Sequence, residues 1–159
     1  KIGTISLHTI NMVTGGNSFA HIQFSEINNP NNMHLDKIIL FQKGIYPLYD
    51  LTIQIYDVES SKDIKVFKVG DIVSTRHIKH FPLNQSINYN LSGKSTQRFN
   101  VFFYSRNGTW HQQLIYKKVQ SGWAIATRVR RPNEKNEPDV IFESISPDFP
   151  LPEKDITWL

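Results

Sequence analysis

Apolar and polar residues alternate along this chain in runs of roughly five to nine, and clusters of Gly, Pro and Asn interrupt the runs. A period of two sends successive side chains to opposite faces, which is the pattern of a half-buried strand. No apolar stripe of helical period reaches useful length. The pattern therefore predicts strands at 4–8, 18–26, 37–41, 51–58, 64–69, 72–76, 86–90, 98–106, 109–119, 123–131 and 139–145. Breaks fall at Gly15-Gly16, Asn28–Asn32, Ser60-Ser61, Gly70, Ser92-Gly93, Asn107-Gly108, Ser121-Gly122 and Pro132-Asn133. Pro147, Pro150 and Pro152 keep the tail from forming a helix or a central strand. Ten Phe, six Tyr and three Trp in 159 residues supply one sizeable core. The expectation is an all-β domain over 1–159 with a Pro-rich acidic tail at 146–159. Its form is an antiparallel two-sheet β-sandwich, immunoglobulin-like or C2-like.

The segment 98–131 is the most strongly patterned. Asn107-Gly108 between two alternating runs predicts a two-residue type I′ turn, because both residues tolerate positive φ. That turn sets Arg106 opposite Thr109, Phe103 opposite Gln112, Val101 opposite Leu114 and Phe99 opposite Tyr116. A second turn at Ser121-Gly122 sets Val129 opposite Leu114 and Ile125 opposite Lys118. One face then gathers Phe99, Val101, Phe103, Leu114, Tyr116, Trp123, Ile125 and Val129, and it is core. The other gathers Arg98, Asn100, Phe102, Tyr104, His111, Gln113, Ile115, Lys117, Ala126, Arg128 and Arg130.

Charge is segregated along the same stretch. Residues 76–131 hold ten Lys and Arg and no acid, a formal +10, whereas 1–75 total −1 and 132–159 total −5. This pattern predicts either a docking surface for an anion or a basic sheet covered by its own acidic tail. In the second case Asp139, Ile141 and Glu143 share one side of a last strand and neutralise Arg128 or Arg130. Basic and aromatic side chains interleaved on an open face also fit single-stranded nucleic acid, although no RNP-like, helix-turn-helix or KH motif accompanies them.

Other constellations are sparser. The absence of cysteine excludes a disulfide scaffold and a thiolate zinc site. No apolar run approaches the ~20 residues of a membrane span. His77 and His80 are three apart, but basic neighbours and the lack of a third ligand argue against a metal. The Asn-x-Ser/Thr triplets at Asn84, Asn90 and Asn107 read as products of Asn-rich loops. No nucleophile elbow, Walker loop or dinucleotide fingerprint is present, so no enzyme, metal or cofactor is expected.

Two resemblances add to this reading. Residues 55–63, with Asp57, Glu59 and Asp63, resemble the second calcium loop of C2 domains, where carboxylates from one loop converge on a cation. Asp63 arrives sooner than in that motif, and no Asp-bearing first loop precedes it. Thr14-Gly15-Gly16-Asn17-Ser18-Phe19, Gly44-Ile45-Tyr46-Pro47-Leu48-Tyr49-Asp50 and Arg106-Asn107-Gly108-Thr109-Trp110-His111-Gln112 are similar to signatures of an uncharacterised bacterial β-sandwich family of unknown function. That likeness spans roughly residues 14–150. It implies a sandwich of bacterial origin downstream of a membrane-spanning or coiled segment. A chain starting at Lys1 without methionine is likewise expected to be a piece of a longer protein, tethered to a membrane through the upstream part.

The expected role is a non-catalytic binding or assembly module. Its expected surface is Arg98, Phe102, Tyr104, Lys117, Arg128 and Arg130, facing a protein partner or a sister subunit. An anionic membrane, with or without calcium, is the alternative partner, and nucleic acid the third.

Overall fold

The computed structural model describes residues 2–29, 32–73, 80–120 and 122–158, with side chains described for all of these but 2–6, 28, 29, 32 and 81. Arg76, His77, Lys79, Ser121 and most of the strand expected at 72–76 lie outside the described residues. The chain runs α1 (Ile2–Thr14), β1 (Phe19–Asn29), β2 (Asn32–Lys43), β3 (Leu48–Asp57), β4 (Lys62–Ile72), β5 (His80–Asn90), β6 (Thr96–Ser105), β7 (Gly108–Val119), β8 (Gly122–Pro132), β9 (Pro138–Ile145) and a 3₁₀ turn at Glu153–Asp155. The strands form two antiparallel sheets, one of three in the order β1-β2-β5 and one of six in the order β4-β3-β6-β7-β8-β9. This is an all-β sandwich.

Helix α1 replaces the strand expected at 4–8. Thr4 to His8 alternates by coincidence, while Leu7, Ile10 and Val13 recur every third residue over a longer window. Gly15, at φ +101°, ends the helix with its N–H bonded 2.8 Å from the Asn11 carbonyl oxygen.

The faces of the 98–131 meander are as expected, but both hairpins slide by two residues. Ser105 pairs with Gly108, Phe103 with Trp110, Val101 with Gln112 and Phe99 with Leu114, so the turn falls on Arg106-Asn107. Val119 pairs with Gly122, Leu114 with Thr127 and Tyr116 with Ile125. An even slide keeps every side chain on its face, so Phe99, Val101, Phe103, Leu114, Tyr116 and Val129 are all buried. The turn moves because Asn107 is used elsewhere. Its amide donates to the carbonyl oxygens of Ser18 at 2.7 Å and Gly16 at 3.0 Å.

The two sheets meet through an edge. Along β1 the backbone groups of Ala20, Ile22 and Phe24 point away from β2 and would be unpaired. Side chains on the inner face of β7 take them up. Trp110 Nε1 donates to the Ala20 carbonyl at 2.7 Å. The Gln112 amide accepts from Ile22 N–H and donates to Ile22 C=O, both at 2.8 Å, and Tyr116 Oη accepts from Phe24 N–H at 3.4 Å. The even face of β1, with Ala20, Ile22 and Phe24, joins the main core, while the odd face, with His21, turns toward Phe142 of β9.

One acidic side chain lies inside. Asp57, 2% exposed, accepts from Tyr89 Oη and Gln97 Nε2, both at 2.6 Å, and from the Glu59 amide at 2.9 Å. Burial pushes its pKa up, but the bonds from Tyr89, Gln97 and Ser60 outweigh that and hold it below the ordinary value.

Replacing Gln112 by Ala leaves both Ile22 backbone groups buried without partners. At ~1–3 kcal/mol for each unsatisfied group, Gln112→Ala is expected to destabilise the protein by about 3 kcal/mol. Urea unfolding measures this as a lower midpoint with an unchanged slope.

Candidate functional site

The outward side chains of the six-stranded sheet stand in cross-strand rows. One row runs Val66, Gln54, Phe102, His111 and Arg130, across five strands. The next runs Tyr56, Asn100, Gln113 and Arg128, with Glu143 of β9 at its end. A third contains Arg98, Ile115, Ala126 and Ile145. The expected surface is thus on one face, but the structure divides it.

The tail covers one half. Phe149, Ile156 and Trp158, each at most 9% exposed, pack on Ile115, Ala124 and Ala126. The covering is apolar rather than ionic. β9 does pair with β8, and Glu143 stands opposite Arg128, yet among the described residues only Arg98–Glu59 and Arg106–Asp50 form ion pairs. Arg128 instead lies under Trp158, its guanidinium 4.6 Å from the ring centroid, and its Nε donates to Gln113 Oε1 at 2.8 Å. Charge counting alone missed this, because the anchoring residues are three apolar side chains scattered among the prolines.

The six expected site residues consequently have different surroundings. Arg98 is neutralised by Glu59 at 2.7 Å and, with Lys117, lines a groove of about 230 Å³ beneath the tail. Phe102 stacks on His111 at 5.9 Å between centroids. Tyr104 is 42% exposed and donates to Gln54 Oε1 at 3.0 Å. Arg130 stands across from His111, and its buried Nε has no hydrogen-bond partner. Asn100 Oδ1 and Gln113 Nε2 on the adjoining row are also buried and unpartnered.

The electrostatics where the open half meets the tail are one-sided. Burial lowers the His111 pKa, and Arg130 and Arg128 lower it further. Burial also lowers the Arg128 pKa, with Arg130 adding repulsion and Glu143 only partly opposing it. Two guanidiniums and an imidazole therefore share a half-buried site in which no carboxylate pairs with them. Taking cations out of water without a counter-charge costs free energy, and an arriving anion relieves that cost.

The acids of the calcium-like stretch do not converge. Asp57 is occupied by Tyr89 and Gln97, Glu59 by Arg98, and Asp63 by Gln54 Nε2 at 2.9 Å. No cluster of three His, Asp or Glu arranged for a metal occurs among the described residues.

The stretches 14–19, 44–50 and 106–112 come together at the end of the sandwich where α1 is attached. Asn107 bonds the Gly15–Ser18 turn, and Ser18 Oγ accepts from Tyr46 N–H at 3.0 Å. Arg106 reaches Asp50 at 3.0 Å and the Val13 carbonyl at 3.1 Å, with its guanidinium 4.6 Å from the Tyr49 ring centroid. A Cβ on Gly15 would lie 2.8 Å from the Pro47 carbonyl oxygen. Asp50, at φ +55°, is a member of this joint. The three stretches are far apart in sequence, and only tertiary contact makes them one unit. No family model matches this chain, and no curated protein or solved structure is significantly similar to it.

Glu153, at the 3₁₀ turn of the tail, raises the Glu143 carboxyl pKa above its ordinary value, and burial adds to the effect. The docked tail thus holds that proton more tightly than a released tail does. Docking is strongest below the ordinary carboxyl range and weakens as pH rises through the raised pKa. Glu153→Gln should flatten this dependence and favour docking at pH 7, by a small margin because Glu143 is largely solvated. The Trp158 indole N–H resonance reports the docked fraction.

Proposed function

We propose that this protein is a non-catalytic binding module that takes an acidic segment of a protein partner on the open half of its outer face. The reading includes an immunoglobulin-like or C2-like sandwich within a larger bacterial protein, as the resemblance implies. The observation that carries it is the pair Arg130 and His111 without an ion-pair partner, with the tail-covered Arg128 behind them, beside the half-buried Phe102 and the exposed Tyr104. Cations attract and orient the segment, and the aromatic row supplies contact area. Val66, 59% exposed at the far end of the row, extends the apolar part. Arg98 and Lys117 stand apart from this contact, one paired and both beside the tail.

An acidic aromatic polypeptide, poly(Glu,Tyr), is a suitable probe. Arg130→Glu combined with Tyr104→Ala should weaken its binding by about tenfold or more, while Lys94→Glu should leave it unchanged. Equal binding by wild type and the double variant would remove this face from consideration. Tighter binding to oligo(dT), falling steeply with salt, would instead favour the nucleic-acid reading.

Contact with an anionic membrane is the second reading, and a different part of the molecule supports it. Helix α1 has no Asp, Glu, Lys or Arg and exposes Leu7, Ile10, Met12 and Val13, with Ile45 71% exposed in the β2–β3 loop. Such a surface suits the apolar layer of an interface. Sedimentation with anionic and neutral vesicles, with and without calcium, tests it. Equal pelleting with both vesicle types would sink it.

A further inference from the structure

The tail that crosses the outer face is bonded to the sheet at its start. Ser146 N–H donates to the Ile125 carbonyl oxygen, and Ser146 Oγ accepts from Ile125 N–H, both at 2.9 Å. Beyond that point, among the described residues, the backbone hydrogen bonds of 147–158 stay within the tail: Phe149 to Ser146, Asp155 to Pro152 and Ile156 to Glu153. Pro147, Pro150 and Pro152 lack the N–H groups that a ladder needs, so this segment cannot fasten as a further strand. β9, by contrast, is laddered to β8 from Pro138 to Ile145.

Of residues 147–158, only Phe149, Ile156 and Trp158 are buried, and the others are exposed. Three anchors therefore hold the whole segment against the chain entropy that release restores. Their seat is incompletely filled, because the groove of about 230 Å³ lined by Arg98, Lys117, Phe149 and Ile156 stays open between tail and sheet. The tail also has the chemistry of the segment that this face suits. It carries Asp148, Glu153 and Asp155 against Lys154 alone, and aromatic anchors in Phe149 and Trp158. Trp158 lies over Arg128, whose cross-strand row adjoins that of His111 and Arg130.

We propose that the tail is a removable strap that stands in for the partner: an acidic segment with aromatic anchors displaces it and takes its seat on Ile115, Ala124 and Ala126, which rests on the reading of the outer face as a site for such a segment. Release lifts Trp158 from Arg128, joining that guanidinium to Arg130 and His111, and clears the approach to Lys117. The partner then meets a longer row of cations than the docked chain presents. A segment that must displace the tail binds with an affinity reduced by the fraction of chains whose tail is released.

The test uses the full chain and poly(Glu,Tyr), which has no indole of its own. Phe149→Ser combined with Ile156→Ser weakens the strap without altering the cations or Trp158. This variant should bind the probe about fivefold or more tightly than wild type. In wild type, saturating probe should move the Trp158 indole N–H resonance toward that of a solvent-exposed indole, a readout that does not depend on the variant. Equal or weaker binding by the variant, or a Trp158 resonance unmoved in saturated wild type, would overturn the strap and leave the outer-face reading standing. Lack of binding by both forms would remove that reading and the strap with it.

Discussion

The architecture depends on how one strand edge is closed. β1 borders the small sheet, and an open edge there would leave alternate backbone groups without partners inside the molecule. Trp110, Gln112 and Tyr116 supply the missing donors and acceptors from a strand of the other sheet. Gln112 is the central element because a primary amide can accept and donate at once, as the two groups of one residue in an extended strand require. It also donates to Thr127 Oγ1 at 2.7 Å, so the contact is tied to β8. An aliphatic residue of the same size would fill the space and satisfy nothing.

Two features follow from the edge-on contact. The even face of β1 closes the main core with Phe24, Phe99 and Tyr116, whose rings meet at 5.3–6.3 Å. The odd face produces a crevice at His21, a space that two sheets packed face to face would have filled. The joint at the base of α1 stands nearby, and Arg131 helps link them. Its guanidinium bonds the Asn17 and Ser18 carbonyls at 3.0 and 3.1 Å while lying 4.6 Å from the Trp110 ring centroid. Trp110 therefore connects the β1 edge to the Gly15–Ser18 turn.

Much of this was legible in the sequence. Alternation located most strands and sorted the two faces of 98–131, because a period of two is a local property. Register was not local: Asn-Gly is a good turn, but three tertiary acceptors for the Asn107 amide moved the turn by one position and the pairing by two. The helix was hidden because a five-residue window of α1 alternates like a strand. Charge segregation pointed to the outer face, and β9 does run beside β8. What the charges could not reveal was that Phe149, Ile156 and Trp158 hold the tail, so that Arg128 meets an aromatic ring where a carboxylate was expected. The six expected site residues share a face by periodicity, yet their separation into covered and open groups depends on the path of an irregular tail.

Side chains of β7 close the β1 edge as firmly as another strand would. Native-state hydrogen exchange at Ile22 tests this closure directly, since that amide is bonded only to the Gln112 side chain. With the edge closed, Ile22 should exchange only through global unfolding, with the same free energy and denaturant dependence as the core amides of Val101 and Leu114. Faster exchange at Ile22, insensitive to denaturant, would mean that the edge opens locally and would contradict it.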